Sequence, residues 1–199
     1  MKNCIKGLSM LLMIAMFFGC SKDESSSSCT PIACLNGGVS TADCGCNCPQ
    51  GYTGSNCGTQ VTPTTIKITK IRVKKFPDTD NGSWWDVLPN SDADIYVTLV
   101  NTSFQTIYTS GYYTDATGLG TIYYDFTPTT PITITNVTSA LSIKLYDRDY
   151  DILSLTYTGS LMDSLFFNPY SSTGGFPPTI TRTNDSGKLE CEISLQYVW

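Results

Sequence analysis

Apolar and polar residues alternate with a period of two along most of the chain after residue 65. Ile66, Ile68, Ile71, Val73 and Phe76 alternate with Lys and Thr, with a phase slip near Thr69-Lys70 that predicts a β-bulge. Ile95, Val97 and Leu99 alternate within DIYVTLVN. In the last segment Leu189, Cys191, Ile193, Leu195, Tyr197 and Trp199 share one face, and Lys188, Glu190, Glu192, Ser194 and Gln196 share the other. Further strand signals lie at 105–113, 120–126, 131–136, 141–147, 152–158 and 179–183. Short strands of this kind, about eight over 66–199, predict one antiparallel β-sandwich. No amphipathic helix is evident after residue 20, and the Tyr, Thr and Ser content fits an all-β chain. Cys191, on the inward face of the last strand, reads as a small buried core residue.

The N-terminal part is patterned differently. Lys2 and Lys6 precede an apolar run, Leu8 to Phe18, of eleven residues. That suits the hydrophobic segment of a signal peptide and falls short of the ~20 residues that span a bilayer. Residues 1–19 read as a targeting segment; without them the chain has 10 of its 12 basic residues against 17 acidic ones, a net charge of −7. Next come FFGC and a polar stretch, SKDESSSS, so 20–28 reads as a flexible tether.

Six cysteines, Cys29, Cys34, Cys44, Cys46, Cys48 and Cys57, fall within 29 residues. In an exported chain that density predicts a disulfide framework, because so short a segment buries too little apolar area to hold itself together. A zinc site is the competing reading, but the chain has no histidine. Spacing alone leaves fifteen pairings open. Residues 58–65, GTQVTPTT, read as a Thr/Pro linker.

The absence of histidine also removes the usual general base and the Ser-His and Cys-His nucleophile systems. The acidic balance argues against a nucleic-acid partner. Within the sandwich the acids are clustered. FPDTDNGSWWD holds Asp78, Asp80 and Asp86, NSDADIYV holds Asp92 and Asp94, and LYDRDYD holds Asp147, Asp149 and Asp151. If these segments meet at one end of the sandwich, their carboxylates need a compensating cation. Calcium, which takes 6–8 oxygen ligands in flexible geometry, is the expected ion. The competing reading is of solvated turn-forming aspartates. Trp84-Trp85, beside Asp86, would either form a ligand rim or cap the open end of the core. The Gly/Pro segment 168–178 would line the same rim or merely connect strands.

Three resemblances follow from these residues. FFGC at the end of the apolar run resembles a bacterial lipoprotein lipobox, which implies lipid attachment at Cys20, and the acidic SKDE after it resembles surface-export signals of Bacteroidetes-type lipoproteins. An outer-membrane, lipid-anchored and surface-exposed protein is thereby implied. Cys34-Leu-Asn-Gly-Gly and Cys48-Pro-Gln-Gly-Tyr-Thr-Gly-Ser-Asn-Cys57 resemble an EGF-like domain over 29–57, implying the pairs 29–44, 34–46 and 48–57. SDADIYV and LSIKLYDRDYD resemble the corresponding segments of a C2 domain. That resemblance implies a C2-like sandwich over 66–199, with Asp86 and Asp94 as first-loop calcium ligands, Asp147 and Asp149 as third-loop ligands, and Asp80 and Asp151 as further candidates. The expected function is binding or adhesion to a glycan, phospholipid or protein, with calcium ordering the rim. The alternatives are a structural envelope lipoprotein without ligand and a calcium-assisted hydrolase.

Overall fold

Alternation along the sequence becomes two facing antiparallel sheets in the computed structural model, which describes residues 29–86 and 92–199. The signal segment, Cys20 and the tether to residue 28 lie outside the described residues. The chain divides into two units, 1–30 and 31–199. Of the first only Cys29 and Thr30 are described, both exposed. Cys29 is disulfide-bonded.

The second unit opens with two small hairpins. Strand β1 (Val39–Ser40) pairs β2 (Cys46–Asn47), and β3 (Tyr52–Thr53) pairs β4 (Thr59–Gln60). Disulfide Cys34–Cys46 ties the segment before β1 to β2, Cys48–Cys57 ties the segment before β3 to the β3–β4 loop, and Cys44 is also disulfide-bonded. Left-handed backbone at Gly37, Gly51 and Gly54 makes the tight turns between cysteines, positions where a Cβ is costly. Residues 58–65, expected as a linker, are instead ordered against the sandwich. Gln60 Nε2 donates to Ser171 O at 2.7 Å, its Oε1 accepts from the Gly175 N–H at 3.0 Å, and Trp199 Nε1 donates to Val61 O at 3.1 Å. The ring of Phe176 meets Tyr52 edge-on at 5.3 Å and Trp199 at 4.8 Å. A side chain on Gly51 would collide with both Phe176 and Trp199, so the glycine permits the close approach.

The sandwich follows. Strand β5 (Thr65–Lys75) leads to a small hairpin, β6 (Thr79–Asp80) with β7 (Ser83–Trp84). Then come β8 (Ala93–Val100), β9 (Thr106–Ala116), β10 (Tyr124–Phe126), β11 (Ile132–Ile134), β12 (Leu141–Asp151), β13 (Thr156–Phe167), β14 (Thr179–Thr183) and β15 (Glu190–Val198). One sheet has the order β10-β5-β15-β14, with β11 also on β5; the other has the order β13-β12-β8-β9. Strands β10 and β11 pair successive halves of β5, so the nine segments fill eight strand positions, as the alternation predicted. The fold is an all-β sandwich preceded by a disulfide-rich module.

The core is the inner faces of both sheets: Ile66, Ile68, Ile71 and Val73 of β5, Ile95, Val97 and Leu99 of β8, Ile143 and Leu145 of β12, and Ile193 of β15 are fully buried. The expected bulge falls at Thr69, because Ser194 faces Lys70 while the next residue, Leu195, faces Ile68. One extra residue there restores the inward phase of Ile71 and Val73. The solvent face of this sheet carries Arg72, which donates to Asp125 at 2.6 and 2.8 Å, and Lys74, paired with Glu190 at 2.6 Å. One expected strand moves: 152–158 is a turn at 152–155 followed by β13, which extends to Phe167. A register shift opposite Leu145/Tyr146 leaves Met162 unpaired, and that break in period two hides the strand from pattern reading.

Candidate functional site

Strand β12 buries Leu141, Ile143 and Leu145 on its inner face, and the same period places Asp147 next in that row. A carboxylate thus occupies a core position at one end of the sandwich, with 0% of its surface exposed. Its backbone faces Ile95 of β8, and the neighbouring Asp94 N–H donates to Asp147 Oδ1 at 2.8 Å. The other oxygen, Oδ2, is buried with no hydrogen-bond partner among the described residues. Burial pushes the Asp147 carboxyl up to about 6; the Asp94 N–H opposes this, and the negative charges of Asp149, Asp86 and Asp94 add to it.

The first and third acidic segments therefore meet at one end. Asp86, Asp147 and Asp149 each offer an oxygen within 4.8 Å of the others. Asp149, half-buried, also accepts from Ser160 Oγ at 3.0 Å, which fixes its carboxylate across the β12–β13 pair. The other expected ligands lie outside this group of three. Asp94 holds Asp147 through its backbone, and its own Oδ1 accepts from the Asp115 N–H at 3.1 Å. Asp80 sits at the tip of the β6–β7 hairpin and accepts from Asn81 Nδ2 at 2.9 Å. Asp151 caps the turn between β12 and β13: Oδ1 accepts from the Leu153 N–H at 2.9 Å and Oδ2 from Ser154 Oγ at 2.7 Å, and these bonds hold its carboxyl below the usual range.

The two tryptophans separate. Trp85 packs on the core and donates Nε1–H to Pro77 O at 2.8 Å, whereas Trp84 is 62% exposed. Asp78 accepts from the Gly118 N–H and so ties the first acidic loop to the segment after β9. The segment 168–178 lies toward the disulfide-rich module, through Ser171, Gly175 and Phe176, and so connects rather than lining the acidic end.

Two features escaped the pattern reading. Ser160 was hidden in the unassigned half of β13. Ile152, Leu153 and Leu155, the tip of the β12–β13 hairpin, are 77%, 96% and 71% exposed. In the sequence they pass for the apolar positions of a strand; only the turn geometry brings them to the surface.

Three carboxylates, one of them with a buried oxygen that has no partner among the described residues, form an all-oxygen donor set suited to a hard cation of calcium's kind. Fit therefore rests on the orphaned Asp147 oxygen as well as on the clustering.

No family model matches the chain, and no curated protein matches it. Solved structures do. A structure described as that of a C2 domain aligns over 68% of this chain and 98% of its own length, with 11% identity and a TM-score of 0.41. Human GIVD cytosolic phospholipase A2, in complex with methyl gamma-linolenyl fluorophosphonate, aligns over 67% of this chain at 17% identity and a TM-score of 0.39. The same enzyme in a second structure aligns at 18% identity and a TM-score of 0.37. This chain spans 17% and 16% of the length of those two phospholipase chains.

Proposed function

We propose that the protein is a lipid-anchored binding protein of the outer-membrane surface, tethered through Cys20, whose acidic end takes calcium and docks on an apposed phospholipid surface. The observation that carries this reading is Asp147: a fully buried carboxylate, with one oxygen unpartnered among the described residues, close to Asp86 and Asp149. Asp86, Asp147 and Asp149 would hold the ion. Calcium bound there would neutralise their mutual repulsion and offer further coordination positions to phosphate or carboxylate oxygens. Asp94 orients Asp147, Ser160 orients Asp149, and Asp151 folds the adjacent hairpin tip.

That tip favours a lipid surface over a soluble ligand. Ile152, Leu153 and Leu155 project from the hairpin that carries Asp149, and three exposed aliphatics on one turn gain free energy only by leaving water. Polar recognition alone gives no reason for them. The proposal is binding without turnover, with adhesion between surfaces as the outcome.

Vesicles of phosphatidylserine and phosphatidylcholine test it by co-sedimentation. Binding is expected in calcium, lost in chelator, and reduced at least tenfold in Leu153→Asp and in Asp149→Asn. Equal binding with and without calcium, or an unaltered Leu153→Asp, rejects the reading.

A further inference from the structure

The outer face of the four-stranded sheet carries a second constellation, separate from the acidic end although it uses the same strand. Period two sends Asp147 and Asp149 inward and Arg148 outward. There the Arg148 guanidinium lies 3.3 Å from the ring centre of Tyr157 and 4.0 Å from that of Tyr112. Those rings come from β13 and β9, the two outer strands of the sheet, and converge on the side chain from both sides. Tyr96 and Tyr146 stack beside it at 5.2 Å. Gly159 opens the floor: a Cβ there would strike the Tyr96 hydroxyl.

Among the described residues Arg148 makes no hydrogen bond and no ion pair; its guanidinium stacks on the two rings. By contrast Arg72 spends its guanidinium on Asp125. Arg148 is thus a preoriented cation with its N–H donors unspent, in a protein of net negative charge. It opens on a cleft of about 270 Å³ whose lining includes Tyr96, Ser110, Tyr112, Tyr157 and Gly159 and, among the described residues, no carboxylate or second cation. Lys144 lines the neighbouring groove, not this one.

The geometry points to a binding site for an acidic saccharide, with the carboxylate of a uronic-acid residue on Arg148 and the sugar ring against the tyrosines. A planar guanidinium fork matches a carboxylate bidentately. One cation among neutral hydroxyls suits a singly charged carboxylate rather than a doubly charged phosphate. Tyr112 and Tyr157 are 50% and 57% exposed, so the ring edges and hydroxyls left uncovered by the guanidinium offer the mixed apolar and polar surface that a pyranose presents in return. The cleft lies at the small end of ligand pockets, which run from about 300 Å³, and admits one sugar ring of a longer chain.

Tri-galacturonate and its methyl ester, titrated calorimetrically into the full chain in chelator-containing buffer, test the assignment. The free acid is expected to bind at least tenfold more tightly than the ester. Arg148→Gln and Tyr112→Ala are each expected to weaken it at least tenfold, Arg148→Lys several-fold, with melting temperatures held. If Arg148→Gln fails to fold, the acid-against-ester comparison on the unaltered chain decides alone. The assignment is overturned by absent galacturonate binding or by equal affinity for acid and ester. It is overturned equally by tighter binding of inorganic phosphate, or by an aspartate/glutamate hexapeptide binding as well as the sugar. Galacturonate binding that appears only when calcium is present moves the sugar to the acidic end and also overturns it. Vesicle binding at that end is read separately, so either result can fail alone.

Discussion

Asp147→Asn should have opposite effects on stability with and without calcium. Without the ion, Asp147 titrates near 6 in the folded protein against an ordinary 3.8. Because the folded value is raised, ionisation of this residue disfavours the fold. The cost is absent below pH 3.8, grows as pH rises toward 6 and is complete above it. The gap corresponds to about 3 kcal/mol as an upper bound. Asparagine keeps the acceptor for the Asp94 N–H, removes the buried charge, and offers amide hydrogens toward the Asp86 and Asp149 carboxylates. In calcium-free buffer at pH 7 the variant should therefore gain ~1–3 kcal/mol, or roughly 3 °C in melting temperature per kcal/mol for a domain of this size. At pH 3 the two proteins should melt together. In calcium at a thousandfold excess over Kd the order should reverse: the unaltered chain gains about 4.1 kcal/mol, more than the substitution gives, and the variant gains little. Differential scanning calorimetry at both pH values, with and without calcium, measures all four cases. A variant that is no more stable at pH 7 without calcium, and that responds to calcium like the unaltered chain, would refute both the buried-charge argument and the ion site.

Two further predictions concern the frame. Cys191 is fully buried in the core and burial pushes its thiol far up, so it should resist a thiol reagent until global unfolding, labelling at the unfolding rate across a denaturant series. Phe176→Ala removes the edge contacts to Tyr52, Tyr197 and Trp199. It should cost about 3 kcal/mol and expose 58–65 to limited proteolysis, leaving the sandwich core intact.

Much of this architecture was legible before any coordinates. The strands β5, β8 and β15, the Thr69 bulge, the cross-linked cysteine module and the grouping of acids into segments all follow from local rules. A period of two is set by the backbone of each residue and its neighbours, and cysteine density reflects what a short exported segment needs to stay folded. Asp147, Asp149 and Asp151 look equivalent in LYDRDYD, yet one is buried and partly unpaired, one bridges to Ser160, and one caps a turn. Their difference comes from where the hairpin turns and from what β8 and β13 place opposite. The same holds for Arg148, whose two tyrosines come from strands well apart in the chain, and for the segment 58–65, whose partners lie more than a hundred residues onward. The sequence by itself determined which residues of β5, β8 and β15 face in and which face out. Tertiary structure alone decided which inward charge loses its water and which outward cation keeps its donors free, because desolvation and pairing depend on neighbours brought by register between distant strands.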